Sequence, residues 1–330
     1  MWDNLFKFVL KAASVEPNYS KNNCIAYNQS TSACSACKDI CPHEAISFKQ
    51  AKEVLIDDVD CTGCGLCVQV CPSQALEARL NYQSGADIRC SQVKGNTQSV
   101  QCLGRLSHID LIRLATSKDK LVLARADCNN CKIGNAEVLD KLAISQAKAQ
   151  ELAKFRNKNL EIKIIETEQY NNTDNPNAIS RRDLLKGGWR GLKQGASDAL
   201  LPFDPGGDED SFLPRNSIYQ KQIIALAKPK DEQIVPWRLP QIADNCILCP
   251  VCTNICPTKA FSRDFEPIDK EGTVLEIKPD HCNGCDACVS ACPVAAITMT
   301  KEVTWATLSQ DKIIAFYKDP KQVNDENVAR

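Results

Sequence analysis

Histidine is scarce in this chain of 330 residues: His43, His108 and His281 are the only three, which leaves little material for a mechanism of acid and base catalysis built on imidazole. A surplus of one charge is lacking too. The 40 lysines and arginines stand against 41 aspartates and glutamates, for a formal net charge of -1, so nothing basic is left over to attract a nucleic acid. No window approaches the run of roughly 18 apolar residues that a membrane span needs, and the expectation is a soluble or at most peripheral protein with no transmembrane segment. Met1 to Ala13 carries Asp3, Lys7 and Lys11 among its apolar residues, unlike the unbroken core of a secretion signal. Its Trp2, Leu5, Phe6 and Val9 recur at helical spacing, as in a short amphipathic helix that covers a neighbouring face or meets a partner. Phosphate-binding loops are missing, and Gly187, Gly188 and Gly191 form no dinucleotide fingerprint, since no strand leads into them.

Cysteine is what the chain has in abundance. Its 20 cysteines sit in clustered ligand spacings rather than scattered pairs, which favours metal-bound thiolates in a reducing compartment, with the cytoplasm as the expected location. Cys61 to Pro72 reads C-T-G-C-G-L-C-V-Q-V-C-P, and Cys282 to Pro293 reads C-N-G-C-D-A-C-V-S-A-C-P. Three thiolates at two-residue intervals wrap one iron-sulfur cube, and the fourth, followed by proline, serves a neighbouring cube. Each run therefore implies a partner run. Cys246, Cys249, Cys252 and Cys256-Pro257 precede the second copy, and Cys34, Cys37 and Cys41-Pro42 precede the first. Zinc suits an isolated four-cysteine set, not interleaved runs that end in Cys-Pro. Pro42, Pro72, Pro257 and Pro293, with fixed φ and no amide hydrogen, suit turns that direct the chain away from the metal. A cube held by four thiolates adds a charge of about -2, so five such sites would bring the loaded protein to roughly -11.

Val54-Leu55-Ile56 and Val274-Leu275-Glu276-Ile277 lie just before the two longer runs and read as short strands. This layout resembles the bacterial two-cluster ferredoxin family over about residues 20 to 80 and again over about 242 to 300. The resemblance implies a small βαββαβ-like fold in which the fourth cysteine of each run serves the other cluster. It assigns Cys61, Cys64, Cys67 and Cys41 to one 4Fe-4S cluster, and Cys34, Cys37 and Cys71 to its neighbour. The family pattern wants a further ligand at position 31, which here is Thr31. Cys24 is the nearest candidate, with Ile25 to Ala33 looped out; otherwise that site is a three-iron or labile cluster and Cys24 a small buried hydrophobe. The C-terminal copy has no such gap, and the same carry-over gives Cys246, Cys249, Cys252 and Cys292 for one cluster and Cys282, Cys285, Cys288 and Cys256 for the other.

Cys90, Cys102, Cys128 and Cys131 remain. Around them Leu121 to Ala124 and Leu160 to Ile165 read as strands, Asn135 to about Asn157 as a helix, and Ser107-x-x-Asp110 as a capping-box helix start. Such alternation predicts βαβ units and a parallel sheet. All four cysteines then fall beyond strand carboxyl ends, on the edge where open α/β folds hold their sites, and a fifth metal site is expected there. Val100-Gln101-Cys102-Leu103-Gly104-Arg105 and Cys128-Asn129-Asn130-Cys131 with Gly134-Asn135 resemble, more loosely, the delta-subunit family of methyl-viologen-reducing hydrogenases. That resemblance implies a 2Fe-2S cluster, with structural zinc, a 4Fe-4S cluster and free thiols as the alternatives.

The polar run Asn171 to Asn177 reads as a linker. Ser180-Arg181-Arg182-Asp183-Leu184-Leu185-Lys186 looks like a twin-arginine export motif, yet Gly187 to Lys193 is basic and mixed rather than apolar, so a helix docked on a partner or on its own chain is the better reading. His281 beside Cys282 either donates to a cluster sulfur or is an exposed turn histidine, and Asp60 and Asp244 read as solvated loop acids. The expected fold is α+β and multidomain: two ferredoxin-like dicluster modules (1–85 and 241–302) flank a small α/β parallel-sheet domain (86–170). A segment of linker and amphipathic helices (171–240) and a C-terminal tail (303–330) complete it. The expected function is relay of electrons between redox protein partners, with no catalytic site of its own, because fully thiolate-ligated clusters leave no open iron position. The alternatives are an iron-sulfur accessory protein, or a subunit of a formate dehydrogenase-, hydrogenase- or heterodisulfide reductase-like complex.

Overall fold

The apolar strands of the middle segment close into one four-stranded sheet, in the order Gln98–Val100, Ile88–Cys90, Lys120–Arg125, Glu161–Glu166, with every pairing parallel. The computed structural model that reveals this describes residues 15–78, 80, 82, 84–115, 119–171, 213–264 and 273–318. Met1 to Ala13 and the double-arginine segment lie outside the described residues. Ile88, Leu121, Leu123 and Ala124 are fully enclosed because helices cover the sheet, as parallel sheets require. The long helix Glu137–Phe155 buries Val138, Leu142, Ser145, Ala149 and Leu152, a stripe at intervals of three and four. The shorter helix His108–Leu114 starts at the capping box expected from the sequence. Ser107 Oγ accepts from the Asp110 amide at 3.2 Å, and the Ser107 amide donates to Asp110 Oδ2 at 2.9 Å.

The two flanking modules repeat one plan. In the first, Asn18–Tyr19 pairs with Leu76–Glu77, and Ile46–Lys49 forms a hairpin with Glu53–Ile56. In the second, Pro240–Ile242 pairs with Ile297–Met299, and Phe261–Asp264 with Thr273–Ile277. Short helices carry the cysteine runs in both: Ala36–Asp39 and Leu66–Val70, then Val251–Ile255 and Ala287–Ala291.

One stretch differs from the sequence reading. Residues 303–318, expected as a tail, contain the helix Trp305–Ser309 and the strand Ile313–Lys318, which lies antiparallel beside Thr273–Ile277 as a third strand. In the segment expected as linker and amphipathic helices, the helix Arg215–Leu226 is docked, with Tyr219, Ile223 and Ile224 buried in the same core as Leu123, Leu142, Trp237 and Leu308. Burying those three side chains stabilises the contact by about 1.5–3 kcal/mol apiece. This helix bridges all three parts. The Arg215 amide donates to Glu77 Oε1 of the first module at 3.0 Å, the Arg113 guanidinium of the middle domain lies 4.9 Å from the Tyr219 ring, and Lys221 pairs with Asp280 of the second module at 2.7 Å.

Candidate metal centres

Each Cys-Pro pair opens the same turn. The amide three residues on donates back to the cysteine carbonyl: Glu44 to Cys41 at 3.4 Å, and Gln74 to Cys71, Lys259 to Cys256 and Ala295 to Cys292, each at 3.2 Å. Proline in second place supplies the φ this turn wants. The donating residue is left-handed in every copy, with φ of 53° at Glu44, 56° at Gln74, 53° at Lys259 and 50° at Ala295. That bend aims the next amide at sulfur in three copies: Ala75 to Cys71 Sγ at 3.1 Å, Ala260 to Cys256 Sγ at 3.3 Å and Ala296 to Cys292 Sγ at 3.2 Å. The turns thus bring a backbone amide back onto the cysteine sulfur in these three copies. An N–H donor favours the charged thiolate. Cys131 and Cys246 accept similar bonds from the amides of Ile133 and Leu248, both at 3.4 Å.

The structure sets several of these thiols near one another. Cys37 is within electrostatic reach of Cys71, Cys24 and Cys34, and burial, reinforced by those neighbours, pushes its thiol up to about 12. Cys24 enters this group from the end of a short 3-10 turn, Lys21–Asn23. Cys41, Cys61, Cys64 and Cys67 line one pocket, and Cys246, Cys249, Cys252 and Cys292 line another. Cys256 stands beside Cys282, Cys285 and Cys288, and burial first, then these mutual contacts, raises Cys282 and Cys285 to about 12. Thiols packed this way resist ionisation unless a cationic centre sits among them. Four sulfurs per group, with amides turned toward several of them, are a donor set that fits an iron-sulfur cluster.

The middle four meet at the edge of the parallel sheet. Cys90 ends its strand, Cys102 lies just past the neighbouring strand, and Cys128 and Cys131 lie just past the central one. Together they line one small pocket, partly open to solvent. Burial pushes Cys102 up to about 12, and Cys64 of the first module, then Cys128 and Cys131, add to it. Among the described residues, no three His, Cys, Asp or Glu side chains are gathered as a site for a single metal ion.

Two arginines escaped the sequence reading as parts of these sites. Arg105, 4% exposed, donates through Nη1 to the carbonyls of Val15 at 2.5 Å and Gly63 at 3.1 Å, so a guanidinium is buried against the Cys61–Cys64 loop. Arg238 donates to the Gly284 carbonyl at 2.8 Å, the equivalent place in the second module. Each arises from a tertiary approach that no local motif announces. Asp60 and Asp244 are exposed, and His281 is part-buried, its Nδ1 enclosed with no hydrogen-bond partner. His43 Nε2 donates to the Ile133 carbonyl at 3.0 Å, at the seam between module and middle domain.

Residues 32–75 and 245–296 each match the 4Fe-4S dicluster domain family. Both matches span the paired cysteine runs, and Cys24 falls just outside the first. No curated protein and no solved structure gave a significant match. The resemblance of the middle segment to a hydrogenase delta subunit finds no counterpart in these comparisons. What they do support is an iron-sulfur protein of the electron-transfer class with two 4Fe-4S dicluster modules, beside which the structure has a parallel sheet. No helix among the described residues is long and apolar enough to cross a membrane.

Proposed function

We propose that the chain relays electrons between redox protein partners through four 4Fe-4S clusters and a fifth, two-iron cluster at the sheet edge. The observation that carries this reading is the pairing of two dicluster modules with five separate groups of four thiols. Cys24, Cys34, Cys37 and Cys71 would hold one cubane, and Cys41, Cys61, Cys64 and Cys67 its neighbour. Cys246, Cys249, Cys252 and Cys292, then Cys256, Cys282, Cys285 and Cys288, would hold the second pair. Such clusters supply reversible one-electron chemistry. The protein's own part is to exclude water, to direct amides at sulfur and to fix the separation of the groups. Zinc at the middle group would need its four sulfurs drawn to one point at about 2.3 Å, and their spread around a pocket favours a cluster.

Anaerobically loaded protein is expected to contain about 18 iron per chain, or about 16 with one zinc if the middle group is a zinc site. Redox titration is expected to show several low-potential, reversible centres. A loaded chain with only about 8 iron, or without reversible centres, removes the relay reading and leaves the accessory-protein alternative.

A further inference from the structure

We infer that the five thiol groups stand in single file, with the middle group at one end, the Cys246 group at the other, and the hydrogen bond from Asn283 to Ser73 as the joint between the two modules. This order rests on the electron-transfer reading and adds to it a sequence of groups and two termini.

The first junction joins the middle group to the Cys41 group. Cys64, Cys102, Ile133 and Val138 share one small buried core with Cys131 packed against it. A Cβ placed on Gly134 would lie 3.4 Å from Cys64 Cβ and 3.9 Å from Cys102 Sγ, so little but that glycine separates the two groups. Thr62 Oγ1 clamps the same seam, donating to the Ile133 carbonyl at 2.6 Å. The second junction lies within the first module, where Cys67 of one group and Cys37 and Cys24 of the next occupy one core.

The third junction crosses between modules that are far apart in sequence. Asn283 Nδ2 donates to the Ser73 carbonyl at 2.9 Å. Asn283 comes directly after Cys282, and Ser73 is two residues past Cys71, so the bond links the ligand loops of two groups. Cys71 and Cys282 both line the cleft beside it. The fourth junction repeats the second, with Cys288 and Cys252 in one core. Both ends of the file reach the surface. Cys128 and Cys131 are half-buried on their loop, and Ile247, between Cys246 and Cys249, is 53% exposed.

Transport along such a file makes and breaks no bond. A reduced donor protein loses one electron at one end, and an oxidised acceptor protein gains one electron at the other. Neither partner needs to reach the interior groups.

The test uses full-length, anaerobically loaded protein reduced with dithionite, and reads electron spin relaxation rather than turnover. In Cys128→Ser/Cys131→Ser, the file predicts altered relaxation at one remaining centre, the neighbouring Cys41 group, and unchanged relaxation of the C-terminal pair. In Cys34→Ser/Cys37→Ser, the spectrum should divide into two coupled pairs with no interaction between them. A C-terminal pair that responds to loss of the middle group overturns the order. Should the second variant fail to fold, Asn283→Asp retains every thiol and sets a carboxylate against the Ser73 carbonyl. Flash reduction should then equilibrate several-fold more slowly between the halves at unchanged iron content, and an unchanged rate refutes the joint. Failure to load or to reduce reversibly would instead count against the relay reading itself, so the two failures are distinguishable.

Discussion

The two modules carry the same cysteine run in different surroundings, and the residues between the ligands record the difference. Gly65 in the first run and Asp286 in the second occupy the same place, the left-handed residue before the short helix, with φ of 84° and 61°. A Cβ on Gly65 would lie 2.6 Å from the Arg105 amide nitrogen and 2.7 Å from Arg105 Cα, so only glycine allows the turn Leu103–Arg105 to settle on the loop. At Asp286 the space is open, and the side chain instead pairs with Arg238 at 2.9 Å, both groups nearly half exposed. The arginines differ in the same way. Arg105 comes from the middle domain and is buried, whereas Arg238 lies at the surface. One motif therefore serves as an internal junction in one copy and as an outer face in the other, and the choice is made by what packs on the second glycine.

The largest test of that contrast is exchange of the two residues. Gly65→Asp forces backbone against backbone and is expected to cost about 3 kcal/mol or more, with loss of iron from the Cys41 group, read by thermal unfolding and metal analysis. Asp286→Gly should stay within about 1 kcal/mol of the parent. Equal effects would show that the two surroundings are equivalent.

Next come the arginines. Arg105→Gln leaves the Val15 and Gly63 carbonyls without their charged donor, an expected loss of about 1–3 kcal/mol. It also removes a positive charge beside Cys61, Cys67, Cys102 and Cys64. The oxidised form is the less negative one, so the reduction potential of the adjoining centre should fall, as voltammetry would detect. Arg238→Gln should cost under about 1 kcal/mol and shift its centre less, with a stronger dependence on salt.

Acid separates the modules as well. His108 meets Gln220 of the bridging helix at 3.3 Å, with Lys148 and its own helix's Asp110 nearby. Burial first, then Lys148, depresses its pKa from 6.5 to about 4. Below 6.5 the unfolded chain takes up a proton that the folded chain refuses. The stability present above that pH is therefore lost progressively toward pH 4, by about 2 kcal/mol at pH 5. His108→Gln should flatten the profile of the middle domain in hydrogen exchange. Ser107→Ala is expected to cost about 1 kcal/mol from the lost cap, measured by denaturant titration.

The sequence carried the local rules and missed the approaches. Ligand spacing announced the two dicluster segments, because the Cys-Pro runs recur at the same intervals in both. The helix start at Ser107 was readable from its capping box. Arg105 was not, since its role arises only when Gly65 and Gly104 let two backbones touch. The bridging helix falls in the segment expected as linker and amphipathic helices and left a trace, Tyr219 and Ile223 one turn apart, but flanking polar residues hid its docking. Ile313 to Tyr317 is apolar enough for a strand. Its partner lies some forty residues back, beyond the reach of hairpin logic.

The left-handed residues at Glu44, Gln74, Lys259 and Ala295 have nothing in common as side chains. Each conformation costs on the order of 1 kcal/mol for a residue with a Cβ, and at Gln74, Lys259 and Ala295 it sets the next amide on the cysteine sulfur. A chain denied iron retains that cost without the metal-thiolate bonds that offset it, and its modules should open first at these turns. Proteases act on opened chain. The half-life of this protein in a cell should therefore track iron supply, with abundance falling under starvation even when its synthesis does not change.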